Sequence, residues 1–118
     1  MASILKSLRV LSDSVRLRLM LLLIEEELMV AELQEILGLA QSRISTQLAQ
    51  LKGEDLVSDR RVGKNIFYSA AEDLGSATLA VLEAAREELK EAPEDKARLA
   101  FTLRKRKDKA AEYFNRLA

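Results

Sequence analysis

Two short amphipathic helical patterns, close together in the chain, constrain its fold most strongly. Residues 30–37 carry apolar side chains three or four positions apart and stop at Gly38, and residues 44–51 repeat this spacing up to Gly53. Such spacing is typical of helices that bury one face. Because only a few residues separate the two patterns, they predict a helix-turn-helix.

Two runs that favour β-strands follow this pair, at residues 56–61 and 65–69. They are joined across Gly63, which suits the positive φ of a tight hairpin turn. The second run contains Ile66, Phe67 and Tyr68, residues enriched in strands. A helix-turn-helix followed by a β-hairpin is a winged helix, so the sequence predicts a mainly α fold with a small β-hairpin.

The flanking segments predict further helices. Ile4, Leu8 and Leu11 fit one face of a short first helix, and Ser12 or Asp13 can cap a second. The second helix is apolar nearly all round, which is typical of a central helix. Another helix follows Gly75, and a final helix begins near Pro93 and is interrupted by the basic run at residues 104–109. We predict a winged-helix domain over residues 1–92 and a C-terminal helix over 93–118.

Composition excludes several classes of site. The 118 residues are enough for one domain, and they include no Cys and no His. Thiol nucleophiles, disulfides, imidazole bases and nearly all zinc or copper sites are therefore excluded. Three consecutive carboxylates, Glu25, Glu26 and Glu27, point in different directions and predict a solvated helix end, with acid–base catalysis as the weaker alternative. We expect no enzyme activity, no catalytic residues, no cofactor and no metal.

Membrane insertion and secretion are not expected either. The longest apolar run, residues 19–24, is far shorter than a bilayer span. The N-terminus does not resemble a signal peptide, so the cytoplasm is the expected location. The formal net charge is zero. If nucleic acid is the partner, the positive charge must be local.

The helix that begins near Gln41 has an unusual outer face. On a helical wheel Ile44, Leu48 and Leu51 face the core. The opposite face is short, polar and almost uncharged, which lets a helix backbone enter a major groove. An ordinary solvent-exposed face is the alternative, but it would favour Glu and Lys. The predicted DNA-reading residues are Gln41, Ser42, Arg43, Ser45, Thr46 and Gln50.

The hairpin adds predicted DNA contacts at Arg60, Arg61, Lys64 and Asn65. Cations on a wing contact phosphates or enter the minor groove. A solubilising hairpin is the alternative for each residue taken singly. Five cations and three anions lie between residues 41 and 65. This mild excess predicts moderate affinity and a modest dependence on salt.

The segments SLRVLSDSVRLRLMLLL and MVAELQEILGLAQSRISTQLAQLKGEDLVSDRRVGKNIFYSA resemble the winged-helix repressors of the ArsR type, over residues 4–90. The resemblance implies operator DNA binding by the fourth helix and the wing. It also implies a homodimer, with extra dimerisation helices before and after the winged helix. Their apolar residues predict the interface: Ile4, Leu5, Leu8, Val81, Leu82, Ala85 and Leu89.

Three positions depart from the family pattern. Metal sensors of the family carry Cys-Val-Cys where this chain has Met29-Val30-Ala31, and their second metal site uses His, which is missing here. Metal sensing by either route is therefore not expected. The second helix lacks the family's proline but keeps Arg16. Ala40 stands where a capping Ser is common, which costs about 1 kcal/mol of capping.

The C-terminal segment RLAFTLRKRKDKAAEYFNRLA resembles the connector of proteins that fuse this winged helix to an S-adenosylmethionine-dependent methyltransferase. These resemblances suggest two alternative functions. The first is a homodimeric, repressor-like transcriptional regulator that does not sense metal and whose partners are double-stranded DNA and a second copy. The alternative is a dimerising or docking module of a linked methyltransferase domain, with weak or no DNA binding. The basic run could be a phosphate contact, a partner surface or a solvated face.

Overall fold

The computed structural model describes residues 3–117. Within these residues, six helices and a two-stranded antiparallel hairpin confirm the predicted mainly α fold. No helix within residues 3–117 is long and apolar enough to cross a membrane. The elements in chain order are α1 (Ile4–Val10), α2 (Ser14–Leu23), α3 (Val30–Leu37), α4 (Gln41–Gly53), β1 (Val57–Val62), β2 (Asn65–Ala70), α5 (Ser76–Glu88) and α6 (Ala92–Leu117).

The second helix, α2, is the centre of the core, as its apolar pattern predicted. The Asp13 carboxylate caps it by accepting a hydrogen bond from the backbone N–H of Arg16 at 3.0 Å. Leu19 and Met20 are completely buried. Helices α4, α5 and α6 all pack against α2, so it holds the helix-turn-helix and the C-terminal helices in one body.

The turn between α3 and α4 has the predicted geometry. Gly38 ends α3 in the left-handed region, at φ +67°, where a side chain would be strained. Ala40 precedes α4 and provides no side-chain cap. At the other end of α4, Gly53 is the last helical residue, but the left-handed residue is Asp55, at φ +59°. The left-handed residue at this turn is therefore an aspartate and not the glycine that ends the helix.

The hairpin matches the predicted wing, with each strand boundary within one residue of expectation. Gly63 has φ +60° at the tip, and Arg60 lies opposite Phe67 in the antiparallel register. Two backbone hydrogen bonds join Leu28 to Tyr68, at 2.9 and 3.0 Å. They attach β2 to the segment between α2 and α3, so the root of the wing is fixed to the helical body.

The final helix corrects one prediction. Helix α6 is continuous from Ala92 to Leu117, so the basic run does not interrupt it. Its first half packs against α2 and α3 through Leu99 and Thr102, which are both buried. Helix α6 begins at the predicted division near residue 92 and packs against α2 and α3, and the division into two domains stays a prediction.

The predicted dimer surface is corrected in part. Leu82 is 0% exposed and Ala85 is also buried, because this face of α5 packs into the protein's own core. Val81 and Leu89 are half-buried against that core. The expectation that Leu82 and Ala85 present apolar surface is therefore wrong. Ile4, Leu5 and Leu8 on α1 are exposed, as predicted.

Candidate nucleic-acid interface

Helix α4 presents the polar face that the sequence predicted. Its apolar side, made of Ile44, Leu48 and Leu51, is buried in the core. Its predicted DNA-reading residues lie on the other side, where Ser45 is half-buried and the others are exposed: Gln41, Ser42, Arg43, Thr46 and Gln50. The predicted orientation of the helix is confirmed.

Some side chains on this face make no strong hydrogen bond or ion pair with the rest of the described protein. The Thr46 hydroxyl donates to the backbone carbonyl of Ser42 at 2.8 Å, so its proton is used within the helix. Gln41 and Ser45 are joined only by a long contact of 3.5 Å between Nε2 and Oγ. Arg43 is exposed and forms no ion pair within residues 3–117. Gln41 and Arg43 can therefore bind a ligand without breaking a strong internal contact.

An arginine on α2 positions the outer face of α4. The Arg16 guanidinium donates to the Val10 carbonyl, to Gln47 Oε1 at 2.7 Å and to Gln50 Oε1 at 2.8 Å. Both amide oxygens are thereby oriented toward α2. Within the described chain, the amide NH₂ of Gln50 remains available as a donor to an acceptor on DNA.

Sequence reasoning missed this arrangement. It identified Arg16 only as a residue shared with the family, and it left Gln47 out of the site. The available signal was the presence of Arg16 in a helix that is otherwise nearly all apolar, since a charge there must find a partner at the edge of the core.

Adjacent arginines of the wing have different surroundings. The Arg60 guanidinium donates two hydrogen bonds to the Glu27 carboxylate, at 2.6 and 2.7 Å, and lies over the Phe67 ring at 5.1 Å. The hydrogen bond from Arg60 lowers the pKa of Glu27, and the same bond raises the pKa of Arg60. Arg61 and Lys64 are exposed and form no ion pair within residues 3–117.

Ion pairing reduces the positive charge that the sequence suggested for this surface. Lys52 Nζ lies 2.9 Å from Asp59, and the hydrogen bond to this carboxylate raises the pKa of Lys52. Lys52 and Arg60 are thus paired. Among the described residues of this surface, the cations left for a nucleic-acid partner are Arg43, Arg61 and Lys64, with Asn65 exposed beside the hairpin tip.

Two of the three consecutive glutamates form ion pairs in the described structure. Glu25 pairs with Arg86 at 3.3 Å, and Glu27 pairs with Arg60. Within the part of the chain that the structure describes, no group of three or more acidic, His or Cys side chains could hold a metal ion.

Comparison with known proteins agrees with this geometry. Residues 13–59, which span α2, α3, α4 and the start of β1, match the family described as "Bacterial regulatory protein, arsR family". The crystal structure of the transcriptional repressor BigR from Xylella fastidiosa is 33% identical, with a TM-score of 0.60, over 71% of this chain and 80% of that one. The chain belongs to the ArsR family.

Other relatives of this ArsR-family chain are similar over the same region. A transcriptional repressor SmtB homolog from Synechocystis is 43% identical over 53% of this chain and 48% of its own. The biofilm growth-associated repressor of Xylella fastidiosa is 42% identical over 55% of this chain and 57% of its own. The chain thus spans about half the length of these curated relatives.

A solution structure extends the structural comparison. The homodimeric winged helix-turn-helix DNA-binding domain of Mb0332 from Mycobacterium bovis is 28% identical, with a TM-score of 0.63. That match covers 74% of this ArsR-family chain and 82% of the other. The ArsR resemblance inferred from the sequence is therefore confirmed.

Proposed function

We propose that this ArsR-family chain is a homodimeric, sequence-specific DNA-binding transcriptional regulator that acts as a repressor in the cytoplasm. One observation carries the proposal. The exposed face of α4 carries short polar side chains and Arg43. The wing of the same domain carries the cations Arg61 and Lys64. None of these three cations forms an ion pair within residues 3–117. Short side chains allow a helix to approach closely in a major groove, where glutamine, serine, threonine and arginine can contact base edges.

Each part of the surface has a distinct role in this proposal. Gln41, Arg43 and the NH₂ group of Gln50 reach base edges, where arginine can bind guanine through two hydrogen bonds. Ser42, Ser45 and Thr46 contact phosphates or base edges. Arg61, Lys64 and Asn65 contact the DNA backbone. Two copies bind half-sites related by two-fold symmetry, about one helical turn apart or a multiple of that.

The test is a binding series on an operator selected from a random duplex library and on an unrelated duplex, each at several salt concentrations. Arg43→Ala and Gln41→Ala should weaken operator binding by about 1–3 kcal/mol for each lost bidentate contact, and change binding to the unrelated duplex less. Lys64→Ala should weaken both duplexes alike and lower the salt dependence.

The matched control is Lys90→Ala, which removes one exposed cation between α5 and α6 and should leave both affinities unchanged. If the α4 and wing variants lose affinity equally on both duplexes, α4 does not read sequence. If the wild-type protein selects no duplex, the proposal fails.

Metal ions are not the signal in this proposal. With neither Cys nor His, the chain can offer mainly hard oxygen ligands, which bind zinc, cadmium or arsenite poorly. Micromolar zinc should therefore leave operator binding unchanged in a fluorescence anisotropy titration. Release of the operator by stoichiometric zinc would contradict this part of the proposal.

A docking module for a linked S-adenosylmethionine-dependent methyltransferase domain is the second candidate. It is favoured by the last turns of α6, where Tyr113, Phe114 and Leu117 are exposed. Such apolar surface can serve as a connector to another domain. Absence of duplex selection, together with a stable complex with the methyltransferase domain of a fused relative, would favour this candidate over the first.

A further inference from the structure

A cleft lies between the start of α3, strand β2 and the second half of α6. Its volume is about 530 Å³, within the range of pockets that hold small organic molecules. It is separate from the exposed face of α4. The lining residues are Met29, Ala31, Glu32, Glu35, Phe67, Thr102, Lys105, Arg106 and Lys109.

One part of this lining is apolar. Met29, Ala31 and Phe67 supply a thioether, a methyl group and an aromatic ring. Phe67 is half-buried, and Arg60 lies over its ring. This part of the cleft suits a flat apolar body.

The other part of the lining is charged and contains more cations than carboxylates. Glu32 is hydrogen-bonded to Arg106, and Glu35 lies 2.9 Å from Lys105 Nζ. Lys109 lines the cleft without an ion pair in residues 3–117. Three cations against two carboxylates leave one net positive charge, and that charge is at Lys109.

We propose that this cleft binds a small organic monoanion with a flat apolar body, such as an aromatic carboxylate or sulfonate. The apolar body packs against Met29 and Phe67, and the acidic group pairs with Lys109. A cationic ligand is disfavoured by the three basic side chains. A dianion would have to take Lys105 or Arg106 from its carboxylate partner.

The same cleft is connected to the wing, and this part of the inference rests on the proposed DNA-binding function. Arg106 donates both to the Glu32 carboxylate and to the backbone carbonyl of Glu27, at 2.9 Å in the latter case. The Glu27 carboxylate holds Arg60, which covers the Phe67 ring. Phe67 and Arg106 both line the cleft, so a bound ligand lies beside both ends of the Glu27–Arg60 contact. Through this contact, bound monoanion regulates operator affinity at the wing.

Binding is tested without DNA, on the whole chain, with two probes that share one apolar body. The anionic probe is 8-anilinonaphthalene-1-sulfonate, and its neutral counterpart is N-phenyl-1-naphthylamine. Amide shifts in nuclear magnetic resonance spectra should change at Ala31 and Phe67 with the anion. The neutral probe should bind about threefold to fivefold more weakly, as expected for loss of one exposed ion pair.

Two variants on α6 make the test specific. Lys109→Ala should weaken binding of the anion about threefold to fivefold and leave the neutral probe unaffected. Lys107→Ala removes an exposed charge that does not line the cleft and should change neither. Equal losses in both variants, no preference for the anion, or shifts confined to Leu5 and Phe114 would overturn the proposal.

A second measurement tests the connection to the wing. Saturating anion should change the operator affinity of the wild-type protein, and Lys109→Ala should need about threefold to fivefold more anion for half of this effect. An unchanged wild-type affinity, despite occupied clefts, would overturn regulation through the wing. If the ligand-free protein selects no operator, the proposed function fails instead, and the shift measurements still decide whether the cleft binds the anion.

Discussion

Arg60 and Arg61 are neighbours in the chain with opposite surroundings. Successive side chains of a strand point to opposite faces of the sheet, so Arg60 meets Glu27 and Phe67 while Arg61 remains in solvent. A paired arginine must lose its carboxylate partner before it can neutralise a phosphate. The predicted phosphate contact at Arg60 is therefore less favourable than the one at Arg61.

Replacing each of these arginines in turn tests the difference. Arg61→Ala should reduce the slope of log affinity against log salt by about two for the dimer, because each of the two protomers loses one phosphate contact. Arg60→Ala should leave the slope nearly unchanged, while Glu27→Gln should steepen it by releasing Arg60. Equal decreases in slope for the two arginine variants would show that Arg60 leaves Glu27 on binding DNA.

Glu32 is a buried carboxylate with two compensating partners. Burial acts to raise its pKa, but hydrogen bonds from Arg106 and from the Met29 backbone N–H outweigh this effect, and the pKa lies below its ordinary value of 4.5. A carboxyl whose pKa is lowered by folding stabilises the protein above its unfolded pKa. That stabilisation disappears as the pH falls through the folded pKa.

Glu32→Gln should therefore flatten the acid side of the stability profile. At neutral pH the variant should be less stable by about 1.5–3 kcal/mol, the value of a hydrogen bond to a charged group. The difference from wild type should shrink as the pH falls from about 6 to about 3. Urea denaturation at each pH measures it, with Glu35→Gln, on the same helix but exposed, as the control. A constant difference across this range would rule out the ionised carboxylate as the cause.

The first turns of α6 are joined to α2 by an ion pair between Arg18 and Asp95. The Arg18 guanidinium donates two hydrogen bonds to the Asp95 carboxylate, at 2.8 and 2.9 Å, and both side chains are largely buried. The hydrogen bond to Asp95 raises the pKa of Arg18. Arg98 adds a hydrogen bond to the Ile36 carbonyl at the end of α3. Helix α6 is thus anchored to both helices beneath it.

Asp95→Asn should destabilise the fold by about 2–3 kcal/mol, because it leaves the Arg18 charge buried without a carboxylate. The double variant Arg18→Met with Asp95→Leu should recover most of this loss, since apolar side chains can replace a buried pair. Chemical denaturation provides the measurement, and Glu94→Gln, on an exposed side chain that pairs with Arg98, is the control. A double variant no more stable than Asp95→Asn would contradict this account.

Exposed apolar side chains at α1 give the molecule a surface that a second copy can cover. Leu5 is 71% exposed, and Ile4 and Leu8 are each 44% exposed. Leu79 on the outer side of α5 is also exposed, and α5 packs beside α1. This surface replaces the predicted one at Leu82 and Ala85, so a charged side chain at Leu82 would disrupt the core and would not report on dimerisation.

Leu5→Glu should make the protein a monomer at micromolar concentration in sedimentation velocity experiments, without changing its helix content. Operator affinity should fall by at least about tenfold, because two half-sites are then no longer bound together. Phe114→Glu, at an equally exposed residue near the end of α6, is the control and should remain dimeric. A wild-type protein that sediments as a monomer would contradict the dimer proposal.

Local patterns in the sequence determined the winged helix. Apolar spacing along α2, α3 and α4, the left-handed residues Gly38 and Gly63, and the strand-forming run near Phe67 each act over a few neighbouring residues, so they can be interpreted one segment at a time. The orientation of α4 followed from the same spacing. The candidate DNA-reading residues could therefore be chosen from the helical wheel alone.

Only the tertiary structure decided which charges are free and which apolar faces are covered. Arg16 meets Gln47 and Gln50, and Arg60 meets Glu27, over separations of about thirty residues. The apolar face of α5 could equally have met a second copy, but Leu82 packs against the protein's own core. Helical spacing shows that a face is apolar, but its partner depends on how distant segments pack, which no local pattern contains.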